Sequence, residues 1–174
     1  MADSHRADES KQTSGKIAVN DETAVWERLR SLAFLRTMSD DHLRSLADLA
    51  RLVEFEEGTV VFSECGPATH CYLIESGSVL LEICGPDRCT TILTVGPGEL
   101  LGWSAVLGNS RLTATARCQQ PTVGFEFLGV DVLGLCDADP DLGYQLMRCL
   151  VRTLSGRLTA TRLQLLDLFQ QPSA

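Results

Sequence analysis

The stretch from Val95 to Cys118 limits the possible folds more than any other: V-G-P-G-E-L-L-G-W-S-A-V-L-G-N-S-R-L-T-A-T-A-R-C. It places Gly96, Gly98, Gly102 and Gly108 around two short apolar runs, then opens into a Thr/Ala segment. Glycine is required where φ is positive or where another group approaches the backbone closely. Glycines at this density predict a tight, shaped loop between two strands. The piece between Gly102 and Gly108 can form one helical turn. The unpaired N–H groups at the start of such a turn attract an anion. The rest of the chain must build a scaffold that holds or covers this loop.

The flanking patterns say what that scaffold is. From Asp21, Val25, Trp26, Leu29, Leu32 and Leu35 recur at helical steps. Ser39-Asp40-Asp41 reads as an N-cap with an acidic first turn, ahead of the stripe Leu43, Leu46, Leu49 and Ala50. After Arg51 the period changes from helical to alternating. Strands are predicted over 52–55, 60–62, 70–75, 78–83, 90–95, 112–118 and 122–127, with turn signals such as Ser76-Gly77 and Gly85-Pro86-Asp87-Arg88 between them. Short strands at this spacing specify a barrel, roll or sandwich. A short helix over 130–136 follows. Asp139-Pro140 then supplies an N-cap and a first-turn proline for a helix reaching Phe169.

At 1.5 Å per residue that last helix is about 40 Å long, more than a small roll can cover. Its far end needs another partner, and a second copy of the same helix is the expected one. Leu146, Leu150, Leu154, Leu158 and Leu165 are the expected dimer seam. The alternative is that the helix folds back on its own roll. The predicted class is therefore α+β. Residues 1–21 form a disordered tail, 22–138 a β-roll domain with N-terminal helices, and 139–170 a long C-terminal helix.

Composition narrows the function. The formal net charge is −8 and the pI about 4.8, a field that repels phosphates and argues against nucleic acid or anionic membranes as partners. The helical start is acidic and lacks a basic recognition helix, so no DNA partner is expected. No apolar run can span a bilayer, and the N-terminus has no apolar signal segment, so a cytoplasmic location is expected. The seven cysteines include no Cys-x-x-Cys pair, and most are expected to be small buried hydrophobes. Cys84 and Cys89 flank a predicted turn and can face each other across a hairpin, which keeps a redox-sensing thiol pair open. No His/Cys cluster has zinc-like spacing, and no metal or cofactor is expected. No nucleophile–base pairing is visible, so no catalytic residue is assigned and no enzyme is expected. Glu75 and Glu99 read as isolated carboxylates at turns or supporting the loop.

Three segments carry a resemblance. Phe55–Phe62 (F-E-E-G-T-V-V-F) resembles the opening strand–Gly–strand of cyclic nucleotide-binding domains of the Crp–Fnr and protein kinase A regulatory-subunit superfamily. Tyr72–Val79 (Y-L-I-E-S-G-S-V) resembles that family's Tyr-x-Ile-x-x-Gly-x-Val signature, and Gly98–Gly102 (G-E-L-L-G) the entry to its phosphate-binding cassette. The resemblance implies a β-roll of jelly-roll type with a long C-terminal helix. It also implies a Gly-Glu pair whose glutamate takes the ribose 2′-hydroxyl, and an arginine for the cyclic phosphate about nine or ten residues later.

Two registers fit. In one, Gly98-Glu99 is the pair and Arg111 the arginine, with a gap two or three residues too long. In the other, Gly102-Trp103 stands where the pair should be and the arginine slot falls at Leu112 or Thr113. The second keeps the spacing from the fifth strand and leaves Ala114-Thr115 where the family has Ala-Thr/Ser, and it is preferred. The candidate ligand-facing set is then Gly102, Trp103, Ser104, Ala105, Leu112, Thr113 and Ala114. Arg111, one residue off, falls on the opposite strand face.

A buried cyclic phosphate without a cation is costly, so weak or absent binding of cyclic AMP and cyclic GMP is expected. The N–H groups of Ser104 and Ala105 and the Thr113 hydroxyl are what remains to help. Trp103 is either a plug in a disused pocket or an aromatic wall for a neutral or apolar ligand. With the sequence ending at Ala174, no winged helix of the kind carried by transcription factors of the superfamily is expected. The expected function is a stand-alone regulatory or sensor module that dimerises through the long helix and signals to an effector protein. The alternatives are an assembly protein with a vestigial pocket and a thiol redox sensor.

Overall fold

A computed structural model describes residues 16–17, 22–108 and 111–170, with side chains over 25–108 and 111–163. Helices α1 (Glu22–Ser31) and α2 (Asp40–Leu49) form the expected helical start. Ser39 caps α2, its Oγ accepting from the His42 N–H at 3.2 Å. The turn between the two helices buries Leu32, Phe34, Leu35 and Met38.

The strands are β1 (Lys16–Ile17), β2 (Arg51–Phe55), β3 (Val60–Phe62), β4 (His70–Ser76), β5 (Val79–Cys84), β6 (Cys89–Val95), β7 (Leu100–Leu101), β8 (Thr115–Cys118) and β9 (Thr122–Leu128). They form two antiparallel sheets, β1-β2-β9-β4-β7 and β3-β8-β5-β6. Side-chain alternation along β4 and β9 divides the core. Leu73 and its register partner Phe125 belong to a helix-side cluster with Leu29, Leu35, Leu142 and Leu150. Tyr72 and Ile74 face the roll interior, with Phe55, Phe62, Leu101 and Leu112.

Helix α3 (Gly129–Ala138) leads to α4 (Pro140–Gln170). Asp139 starts α4, its Oδ1 accepting from the N–H groups of Asp141 at 3.2 Å and Leu142 at 3.1 Å. The first half of α4 lies on its own domain, which corrects the expected dimer seam. Leu146 and Leu150 are 7% and 2% exposed within the helix-side cluster, and half-buried Leu154 packs against it. Leu158 is 52% exposed, and the Leu165 side chain lies outside the described residues.

Three other departures are local. Lys16 and Ile17 pair with Glu54 and Val53, so the expected disordered tail contains a short strand; residues 1–15 and 18–21 lie outside the described residues. Strand β8 begins at Thr115 rather than Leu112, because Arg111 makes only an isolated bridge to Pro67. Cys84 and Cys89, partners in the β5–β6 register, are joined by a disulfide. Cys71, Cys118 and Cys149 are buried free thiols, as expected of small hydrophobes, whereas Cys65 is exposed. Burial pushes the Cys71 thiol up to about 12.

Candidate functional site

The glycine loop is held from both sides. Gly98 has φ +78°, its N–H donates to the Ile74 carbonyl at 2.7 Å, and its carbonyl accepts from the Phe34 N–H at 3.2 Å. Glu99 turns back into this loop, Oε2 accepting from the Gly96 N–H at 2.8 Å. It therefore supports the loop, as the sequence predicts. Leu100 and Leu101 pair with β4, Leu100 on the helix side and Leu101 in the roll.

Gly102 then breaks the strand with φ +74°; a Cβ there would lie 2.8 Å from the His70 carbonyl oxygen. The expected helical turn is a 3-10 helix over Trp103–Val106, with Ser104, Ala105 and Val106 buried. The Ala105 N–H is already used, donating to the Gly102 carbonyl at 3.1 Å. Trp103 is half-buried against the helix-side cluster, not the roll interior. Trp103 thus packs as a core aromatic, on the helix side of the sheet. The turn that carries it packs on α3, where a Cβ on Gly129 would lie 2.5 Å from the Ala105 carbonyl oxygen.

The two residues expected at the arginine slot differ in burial. Leu112 is 6% exposed and lies in the roll cluster, while Thr113 is exposed and Ala114 buried. Two backbone bonds hold Leu112 there: its N–H donates to the Gly66 carbonyl at 2.9 Å, and its carbonyl accepts from the Cys65 N–H at 3.0 Å. Arg111 is exposed, its Nη1 donating to the Cys65 carbonyl at 2.7 Å. Gly98, Glu99 and Arg111 thus do not form one phosphate site. Among the described residues, the buried polar ones are Ser104, Thr115 and Thr122, so no basic side chain joins the roll cluster. Its one polar tip belongs to Tyr72, whose ring meets Phe55 edge-on at 5.9 Å and stacks on Phe62 at 6.4 Å. Burial, and then the neighbouring Glu126 carboxylate, push the Tyr72 phenol up.

Sequence reading missed two polar contacts. Glu75 is not isolated: Arg28 of α1 grips it with both Nε and Nη2, the Nε–Oε1 bond measuring 2.6 Å. That bond raises the Arg28 guanidinium above its ordinary value against the opposing effect of burial. Arg157 of α4 donates Nη2 to the Leu100 carbonyl, tying the long helix to β7. Its Nε and Nη1 are buried without a hydrogen-bond partner, and burial lowers its pKa while Glu99 opposes that. Both contacts join residues too distant in sequence for periodicity to show. Glu82, Cys84 and Cys89 bring three ligand-type atoms within 4.8 Å of one another, but the two sulfurs are bonded together and Arg117 Nε holds Glu82 at 3.2 Å.

A two-sheet roll between N-terminal helices and a long C-terminal helix, with a glycine-broken 3-10 turn after β7, is the architecture of cyclic nucleotide-binding domains. The family described as "Cyclic nucleotide-binding domain" matches residues 52–139, and the chain belongs to it. Acetyltransferase Pat of Mycolicibacterium smegmatis is 31% identical over 97 residues, 56% of this chain and 29% of that protein. A putative potassium channel protein of Rhodopseudomonas palustris is 25% identical over 132 residues, 76% of this chain and 32% of that protein. The chain thus spans about a third of the length of these curated relatives. The crystal structure of a putative cyclic nucleotide-binding protein from Geobacter metallireducens superposes with a TM-score of 0.69 at 26% identity, covering 76% of this chain and 96% of that one. Among the described residues, no helix is long and apolar enough to cross a membrane.

Proposed function

We propose that this chain is a non-enzymatic, cytoplasmic regulatory module that does not bind cyclic AMP or cyclic GMP in the usual way and signals through protein contacts. The observation that carries this reading is Leu112, an apolar side chain buried in the roll where the family resemblance calls for a guanidinium. An anion entering there would lose its hydration and meet leucine, phenylalanine and tyrosine rings. Thermal denaturation with and without nucleotide tests it. A ligand at 100 times its Kd stabilises the fold by about 2.7 kcal/mol, a rise in Tm of about 5–10 °C at this size. No rise at about 1 mM cyclic AMP or cyclic GMP is expected; a rise of that order overturns the reading.

The protein contact we propose first is a homodimer through α4. Its seam is shifted from the leucines named by periodicity. Tyr144, Val151 and Leu158 are 62%, 64% and 52% exposed and stand seven residues apart, the repeat that supports a coiled coil. Half-buried Met147 and Leu154 flank them. Sedimentation should give a dimer mass for the wild type and a monomer mass for Val151→Asp/Leu158→Asp, with the Tm of the monomeric unit kept. A monomeric wild type refutes the seam.

The Cys84–Cys89 disulfide supports a second reading, a thiol redox sensor. The disulfide closes a short loop, so it constrains the unfolded chain by only about 2 kcal/mol. Two glutathione thiols would reduce it to two cysteine thiols and leave as glutathione disulfide. Mass spectrometry across glutathione ratios should find this pair changing state before any other cysteine with the fold intact. A pair that opens only on unfolding defeats this reading.

A further inference from the structure

Outside the roll, the α1–α2 turn and the middle of α4 line an open pocket of ≈ 210 Å³. Phe34 contributes an apolar part of its lining, and Arg36, Thr37, Cys149, Arg152 and Thr153 contribute polar and sulfur groups. No carboxylate lines it. The chain's formal net charge is −8, and carboxylate partners hold several arginines elsewhere in the fold. Arg28 pairs with Glu75, Arg30 with Asp40, Arg44 with Asp41 and Arg117 with Glu82. Arg36 and Arg152 have no ion pair, hydrogen bond or ring contact among the described residues. Both are exposed and line one concavity, where an anion would meet two positive charges and no carboxylate.

The surroundings supply the remaining donors. The Thr37 hydroxyl lies 3.5 Å from Cys149 Sγ, which places it at the wall shared by the turn and α4. Thr153 adds a second hydroxyl. One helical turn beyond Thr153 on the same face of α4 stands Arg157, whose Nε and Nη1 are buried without partners. The one carboxylate acting on Arg157 is Glu99, already bonded to the Gly96 N–H.

We propose that this pocket binds the phosphate group of a small ligand, gripped by Arg36 and Arg152 with the Thr37 and Thr153 hydroxyls as further donors. Arginine forks match the oxygens of a tetrahedral oxyanion, and a neutral pair of side chains cannot replace them. Such a ligand would clamp the α1–α2 turn to α4. Through Gly98, whose carbonyl accepts from Phe34 in that same turn, it would also stiffen the loop before β7. The site stands apart from the roll, so it does not depend on whether a nucleotide binds there.

Titration followed by amide NMR tests it, using inorganic phosphate and glycerol 3-phosphate, each against sodium chloride at equal ionic strength. Saturable shifts at the Thr37 and Thr153 amides are expected with phosphate and not with chloride. Saturation by both probes assigns the site to phosphate esters, and by inorganic phosphate alone to the free ion. Arg36→Gln/Arg152→Gln should weaken binding at least about tenfold, while Arg111→Gln should leave it unchanged. The spectra themselves report that each variant is folded. Shifts that fail to saturate, that appear equally in chloride, or that survive the double substitution overturn the site.

Discussion

Replacing Leu112 with alanine tests directly which residue occupies the arginine slot. Leu112 is 6% exposed and packs among Leu101, Phe62 and Tyr72, with Gly66 beside it. Removing its branched end forfeits the transfer energy of the lost carbons and leaves a cavity, together about 2–5 kcal/mol. Near the middle of that range, the Tm falls by about 7–14 °C. The neighbours are the controls. Arg111→Ala loses one surface hydrogen bond to the Cys65 carbonyl, about 1 kcal/mol or less. Thr113 is exposed, and its alanine variant should lie within about 0.5 kcal/mol of wild type. Urea unfolding read by the fluorescence of Trp26 and Trp103 ranks the three. If Arg111→Ala costs more than Leu112→Ala, the guanidinium points inward and the reasoning fails.

Two other substitutions probe the loop and the core. Gly102→Ala forces a side chain into a left-handed backbone 2.8 Å from the His70 carbonyl and should cost about 1–3 kcal/mol in urea unfolding. Cys71 gives a pH signature. The unfolded thiol loses its proton from about pH 8.5, while the folded one keeps it up to about 12. Stability is therefore full below the lower value and falls as pH rises through this window, at up to about 1.4 kcal/mol per pH unit. Above about pH 10 the raised Tyr72 phenol steepens the fall. Unfolding midpoints between pH 8 and 10 should decline in the wild type and stay flatter in Cys71→Ala; equal slopes rule the thiol out.

Much of the fold was legible because strands, turns and caps declare themselves locally. Gly85-Pro86-Asp87-Arg88 marks the β5–β6 turn, and Asp139 before Pro140 marks the start of α4. Strand β7 was not legible, since two leucines cannot show a period. Neither was β1, whose pairing with β2 is a long-range event. The sequence could not choose between Leu112 and Thr113, because a strand start one residue earlier or later reverses every face. It named Leu146 and Leu150 for a dimer because helical spacing marks apolar residues without saying which face the home domain takes. The Arg28–Glu75 pair and the Arg36–Arg152 pocket join residues brought close only by the fold.

Calorimetric titration of the full chain with cyclic AMP measures what the account most depends on, whether any cation in the roll can hold a cyclic phosphate. With Leu112 buried in that slot and Arg111 held outside by the Cys65 carbonyl, no saturable heat below millimolar nucleotide is predicted. A one-to-one isotherm with a micromolar Kd, lost on replacing Arg111, would contradict it.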